Sequence, residues 1–265
     1  AITYHKDNAV ANALMIYAFY LQGDKKASER QFLSVEANDK LNHLARYFGV
    51  LTGKISARDF MEKIRTDKNQ VCLDLMETLL VADLKKEAVS LIEMLQAQEP
   101  LVFSLSAIYA DIKGGSPDDL ATEGIAFPSR RIEMKSLSHW AKQGNQNAKF
   151  LLGCALYAKG HYENAVTLWE SLSGNDYRAA RNLAVAYYSH MNRKSEVLPL
   201  LKRALSLKPD DEQLIFETVY VMGKLGVAPV ERISFLNNHK AVISRDDIML
   251  EWARAYNMAG QEDKA

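Results

Sequence analysis

The chain has 265 residues, 48% hydrophobic and 25% charged, enough to bury a large core or, if layers stack on one another, a long one. Lys plus Arg and Asp plus Glu each number 33, so no global field draws in nucleic acid or an anionic membrane, and neither is expected as a partner. Two cysteines, Cys72 and Cys154, lie in apolar helical patterns without metal-ligand spacing, which predicts a reducing, cytoplasmic compartment.

Pro (6) and Gly (13) are scarce, and alternating β-branched runs are absent, so the chain is expected to be all-α. In chain order, Leu41, Leu44, Ala45 and Phe48 have helical period, and Ser56 with Asp59 has capping-box spacing. Leu75, Leu79 and Ala82 repeat the period within the most apolar stretch, Val71 to Leu84. Asp74, Glu77 and Asp83 interrupt that stretch, which is too short and too charged to span a bilayer. The segment "KGGSPDDLATEGIAFPSRRIE", residues 113–133, breaks the pattern. It reads as a loop with one short helix, started by Ser116-Pro117-x-Asp119. Periodicity resumes from 146 and is clear at Leu183, Ala186 and Tyr187; Asp210 with Gln213 and Ser244 with Asp247 mark further helix starts. The chain opens at Ala1 and closes on "AGQEDKA", the start of a helix cut short, so both termini are read as boundaries within a longer protein.

Gly23-Asp24, Gly53, Asp83, Lys113-Gly114-Gly115, Gly160, Asn192, Gly226 and Gly260 each separate two helical runs. Most of these intervals are about 30 to 34 residues, the length of a helix-turn-helix repeat. A finer pattern runs from a small or apolar residue twelve positions to Ala and four more to a bulky one: Ala45, Ala57, Met61; Met76, Ala88, Ile92; Gly153, Ala165, Trp169. Ala253 reaches Ala265 in the same way. Small residues let two helices of a pair approach and the bulky residue fills the groove. Such a pair buries its apolar face only when neighbours stack on it.

"LLGCAL…ENAVTLWE" followed by "RNLAVAYY…LPLLKRALSLKPDD" resembles the tetratricopeptide repeat, well from about 146 to 265 and in degenerate form over 1–112. The departures are Glu196-Val197 where Ala is expected, Pro199 in the first turn of its helix, and Val219 in place of a small residue. The resemblance implies a right-handed α-solenoid of stacked helix-turn-helix repeats. Its parts would be degenerate pairs over 1–112, an irregular loop and connecting helix over 113–145, and repeats over 146–265 with the last one truncated. A narrower resemblance rests on "LLGCALYAKGHYENAVTLWE", "RNLAVAYY" and "HKAVISRDDIMLEWARAYNMAGQEDKA". These blocks are similar to the carboxy-terminal tail of a bacterial family in which a sugar-epimerase-like β-sandwich of unknown function precedes the repeats. It implies the helical part of a carbohydrate-active or carbohydrate-binding protein whose sandwich is not in this sequence.

No residue pattern points to chemistry. The six histidines, His5, His43, His139, His161, His190 and His239, form no ligand pair, and no nucleophile motif occurs, so neither a catalytic residue nor a metal or other cofactor is expected. The acid pairs Asp118-Asp119, Asp210-Asp211 and Asp246-Asp247 sit at expected helix starts, where carboxylates cap backbone N–H groups. Trp169 and Trp252 fall at packing positions, and Trp140 is left undetermined.

What remains is the inner face. The tetratricopeptide resemblance places the first helix of each pair there, which selects Phe150, Tyr157, Arg178, Arg181, Asn182, Tyr188, Phe216, Tyr220, Arg254 and Asn257. Of these, Tyr157, Arg178, Arg181, Asn182, Tyr188 and Arg254 are the candidate partner-binding residues, since arginines beside aromatics suit an acidic or extended peptide. A solvated face of ordinary charges is the rival reading. Phe150 and Cys154 stand where a chaperone-tail carboxylate clamp would need polar residues. The expected partner is a protein or peptide, its own upstream domain or a second copy included, and Arg178→Ala with Arg181→Ala is expected to leave thermal stability nearly unchanged and to weaken partner capture.

Overall fold

A computed structural model describes residues 8–118 and 127–265. Among the described residues all regular structure is helical: fifteen α-helices and two single-turn 3-10 helices, with no strand. The chain divides into two compact units. One takes residues 8–118 and 130–136, the other Phe127–Ser129 and Leu137–Ala265.

The first unit contains α1 (Ala9–Leu21), α2 (Lys25–Asn38), α3 (His43–Leu51), α4 (Ala57–Glu62), α5 (Lys68–Val81), α6 (Lys85–Gln96), α7 (Phe103–Lys113) and the start of α8 (Arg131–Lys142). Helix α1 packs on α2 and α3, α3 on α4, α5 on α6, and α6 on α7. Their buried faces form one cluster that includes Tyr17, Phe48, Phe60, Met76, Leu91 and Leu105. Buried tyrosines stitch successive layers, because a phenol that enters a core must find an acceptor. Tyr17 donates to the Leu44 carbonyl at 2.9 Å and Tyr47 to that of Glu87 at 2.6 Å. Arg130 closes the unit by donating to Asp74 at 2.7 Å and to Gln70 Oε1 at 3.0 Å, with Glu133 buried beside it.

The second unit contains the rest of α8, then α9 (Gln146–Ala158), α10 (Tyr162–Glu170), α11 (Tyr177–Ser189), α12 (Lys194–Leu207), α13 (Glu212–Lys224), α14 (Pro229–Asn238) and α15 (Asp246–Met258). Pairs α9/α10, α11/α12 and α13/α14 form in order, α10 packs on α11, α12 on α13, and α15 on both α13 and α14. This is the stacked-pair arrangement of an α-solenoid, in which each pair covers the apolar face of the one before. Asn145, Asp176 and Asp211 cap α9, α11 and α13 by accepting from backbone N–H groups of the first turn, while α10, α12 and α14 start without a side-chain cap.

Each inter-helix break expected from the sequence has a backbone reason. Asp83 (φ 59°) and Asn192 (φ 53°) are the two non-glycine residues with positive φ among the described residues, and both stand where the other repeats place glycine. The left-handed conformation that ends a helix is open to Gly without cost and to Asn or Asp at modest cost. The closure pattern holds at Met76, Ala88 and Ile92, all fully buried, and at Gly153, Ala165 and Trp169. A Cβ on Gly153 would lie 2.4 Å from Trp169 Nε1, so the indole rests on the bare backbone of α9 and donates to the Phe150 carbonyl at 3.3 Å.

Several local expectations are corrected. Ala57 is exposed at the start of the six-residue α4, and close approach in that layer falls to Gly49, whose Cβ would meet Ile55 Cδ1 at 2.7 Å. Leu41 precedes the cap of α3 and is 64% exposed, and Ala82 is exposed after α5. Asp211, not Asp210, caps α13, because that register turns Leu214 and Ile215 into the core. Ser244 does not cap α15; its N–H and hydroxyl both donate to Glu212. Pro199 sits in the second turn of α12, where it removes one internal hydrogen bond without ending the helix. Residues 262–264 form a 3-10 turn and Ala253 is half-buried, so the closure pattern is not repeated there. The helix start expected at Asp119 lies outside the described residues.

Candidate functional site

Four helices of the second unit, α9, α11, α13 and α15, carry the residues singled out on the inner face. At the start of α11, Asp176 caps the helix and receives Arg178 through two bonds of 3.1 and 2.8 Å. The Arg178 guanidinium also reaches Asn147 Oδ1 at 3.1 Å and lies 4.4 Å from the centre of the Phe150 ring. The device recurs two helix pairs later, at the start of α15. Arg245 grips Asp247 at 3.0 and 2.6 Å, reaches Gln213 Oε1 at 2.6 Å, and lies 5.6 Å from the Phe216 ring. Phe150 and Phe216 are each the fifth residue of their helix, so the repeat places an arginine of one layer over an aromatic of the layer before.

Arg181 forms a two-bond fork with Glu217 at 2.7 and 2.5 Å and contacts Asn182 Oδ1 at 3.2 Å. Hydrogen bonding to Asp176 and to Glu217 is the main cause that holds Arg178 and Arg181 above the ordinary guanidinium range. Asn182 donates to Cys154 Sγ at 3.5 Å, and burial pushes that thiol up to about 11, away from nucleophilic or redox work at neutral pH. The donors that suggested peptide capture at Arg178, Arg181 and Asn182 are therefore largely spent within the solenoid. Tyr157 makes ring contacts to Tyr162 and Trp169 of its own pair and to His190 at the end of α11. Trp252 packs half-buried against the cluster of Leu214, Leu236 and Ile248, and Trp140 stacks on His139 at 4.9 Å.

Two recesses open beside these networks. The first, about 280 Å³, lies between α11, α12 and α13 and is lined by Val185, Tyr188, Val197, Leu201, Phe216 and Tyr220, with Gln213 and Glu217 at its edge. Its walls are apolar, yet Val185 (38%) and Tyr220 (42%) remain exposed at its mouth. The second, about 400 Å³, lies between α13, α14 and α15 and is lined by Tyr220, Gly223, Lys224, Arg232, Glu251, Arg254, Asn257 and Met258. Tyr220 belongs to both walls.

Sequence reasoning found Tyr188, Phe216, Tyr220, Arg254 and Asn257 but missed the ion pair beneath them. Arg232 and Glu251 are 4% and 8% exposed and meet at 2.8 Å. Arg254 donates to the other oxygen of Glu251. The Arg232 guanidinium lies against Gly223, where a Cβ would sit 3.1 Å from Cζ, and its buried Nε has no protein partner. A signal was present. Ile248, Glu251 and Ala255 form the buried stripe of α15, so Glu251 occupies a position of apolar period.

Among the described residues no group of three or more His, Cys, Asp or Glu is placed to hold a metal, and no helix is long and apolar enough to cross a membrane. The helix pairs define an all-α protein of stacked helix-turn-helix repeats. No family model and no curated protein matches the sequence. Among solved structures the chain is similar to one described as "Crystal structure of MamA", with 12% identity and a TM-score of 0.28 over 94% of this chain and 96% of that one. A score of that size carries no argument, and the class rests on the helices and their packing.

Proposed function

We propose that this chain is a non-catalytic helical-repeat scaffold that holds a partner protein or peptide on the inner face of α9, α11, α13 and α15. The observation that carries the reading is the apolar recess between α11 and α13, with Val185 and Tyr220 left exposed at its mouth. Side chains whose only task is to close a helix pair are covered, as Trp169 and Leu183 are, whereas an apolar slot at a solenoid's inner surface suits an anchor from outside. The networks of Arg178, Arg181 and Arg245 supply rigidity, keeping the slot's walls in place before a partner arrives. Within this reading Tyr188 is a direct contact, Arg178, Arg181 and Asn182 position the groove, and Tyr157 supports the α9/α10 pair. The alternative, a carbohydrate-related role for a larger protein, rests on the narrower resemblance and draws on no residue of this face.

The test is selection of a random phage-displayed peptide library against the full chain, with Tyr220→Ala and Val185→Asp as counter-targets. Enrichment of a shared motif that neither variant retains supports the reading. No enrichment, or binders indifferent to both substitutions, overturns it.

A further inference from the structure

We infer that the segment held on this face is extended and acidic, with an apolar side chain in the α11/α13 slot and an Asp or Glu side chain in the adjoining α13/α15 recess. The inference rests on the proposed partner-binding role and names its chemistry. The two recesses share Tyr220 as a common wall, so a chain that fills the first lies over the second. In an extended segment, side chains on one face recur every second residue, roughly 6 to 7 Å apart. The apolar and acidic residues are thus two positions apart, on one face of the segment.

The charge of the second recess selects the acid. Lys224, Arg232 and Arg254 line it, and Glu251 is the one carboxylate among the described residues that does. Glu251 already accepts from Arg232 through one oxygen and from Arg254 through the other, which leaves nothing in the recess to match Lys224. The Lys224 ammonium stands 5.1 Å from the Tyr220 ring, at the boundary between the two recesses. The Arg254 side chain is 58% exposed and turns further donors outward. Arg232 is the fixed floor: Gly223 admits its guanidinium against α13, and its charge is held within the protein rather than in water. An incoming carboxylate completes a recess that has an excess of cations, and an incoming Lys or Arg meets repulsion, so the same feature gives attraction and exclusion.

The experiment compares peptides selected from the random library by the full chain with those selected by Lys224→Glu and by Lys224→Glu/Arg254→Glu. Arg232 is left untouched because its loss would strand Glu251, and Lys224→Glu alone disturbs no buried group, so it serves if the double variant folds poorly. The unsubstituted chain is expected to enrich an Asp or Glu within two residues of an apolar anchor, and a synthetic peptide with that acid changed to its amide should bind on the order of 10-fold more weakly. The variants are expected to keep the anchor and lose the acid, the double variant exchanging it for Lys or Arg. Peptides that need Tyr220 but show no acidic preference, or the same acidic motif from the reversed variants, overturn this inference and leave the binding role standing. A complete lack of enrichment overturns both.

Discussion

Replacing Gly153 by Ala tests whether the contact between α9 and α10 is a packing device. In an open helix the change would stabilise by about 0.5–1 kcal/mol, because Gly has the larger conformational entropy to lose. Here the new methyl group would lie 2.4 Å from Trp169 Nε1, 2.9 Å from Cε2 and 3.0 Å from Cδ1. Those are atoms of a rigid ring that is 2% exposed, so no flexible chain end can swing clear. Relief requires the indole or the whole of α10 to shift, with loss of the Trp169 bond to the Phe150 carbonyl. Overpacking of this kind costs about 1–3 kcal/mol and the lost hydrogen bond about 1 kcal/mol. Against the propensity gain, the net is a destabilisation of about 2 kcal/mol, which for a chain of this size lowers Tm by about 4–8 °C. Denaturant unfolding followed by helical circular dichroism and tryptophan fluorescence reads it. Adding Trp169→Phe should recover part of the loss, and a double-mutant cycle should return a coupling of at least about 0.5 kcal/mol. A Gly153→Ala chain as stable as the original would refute the close-contact argument, because only the helix-propensity term would then remain.

Three further outcomes are expected. Arg178→Ala with Arg181→Ala should cost about 1–2 kcal/mol, since it strands Asp176 and Glu217 in half-buried positions while solvent screens part of each pair; an unchanged unfolding midpoint would return these arginines to the role of free contacts. Glu212 accepts from the Ser244 N–H, the Ser244 hydroxyl and the Arg245 N–H, which holds its carboxyl below the ordinary glutamate range. A depressed folded pKa means stability that is present above the unfolded value and lost as pH falls through the folded one. Glu212→Gln should therefore be destabilising at neutral pH and indistinguishable from the original in strong acid; a constant difference across the acid titration would refute the linkage. Asp83→Gly, at φ 59°, should be neutral to stabilising by up to about 1 kcal/mol, and a clear loss in thermal unfolding would show that Asp83 does more than turn the chain.

The repeat was legible because its determinants are local. Positive φ at a helix end, an Asn or Asp ahead of the first turn, and a bare position facing a bulky one are each decided within about 20 residues of sequence. The errors occurred where a distant partner competes for a local group. Ser244 has the spacing to cap α15, but Glu212 lies 32 residues earlier and takes both of its donors. Asp210 and Asp211 are equally able caps, and the choice between them is made by which register buries Leu214 and Ile215. Ala57 is the first residue of α4, whereas Ala88 and Ala165 are each the fourth of their helices, so Ala57 faces solvent and Gly49 takes over the close contact.

On α9, α11, α13 and α15 the sequence shows where arginines and aromatics stand and hides what those side chains pair with, for the same reason. An arginine on the first helix of a repeat is visible in sequence, whereas its partner is not: Arg181 and Glu217 are separated by 36 residues, and Arg178 and Asn147 by 31. Once those pairs are made, the exposed cations around the buried Arg232 are Arg254, which the sequence had singled out, and Lys224, which it had not. Arg232 and Glu251 sit where apolar side chains would close α14 on α15 more cheaply, since burying a charge pair rarely gains over packing hydrocarbon. Gly223 also gives up helix propensity to admit the guanidinium. Two costs at one spot set this layer apart from others in the unit that close with Ala, Leu and Trp, and because Arg232 and Glu251 cancel in charge, an apolar pair there would give a more stable solenoid whose recess still drew its positive character from Lys224 and Arg254.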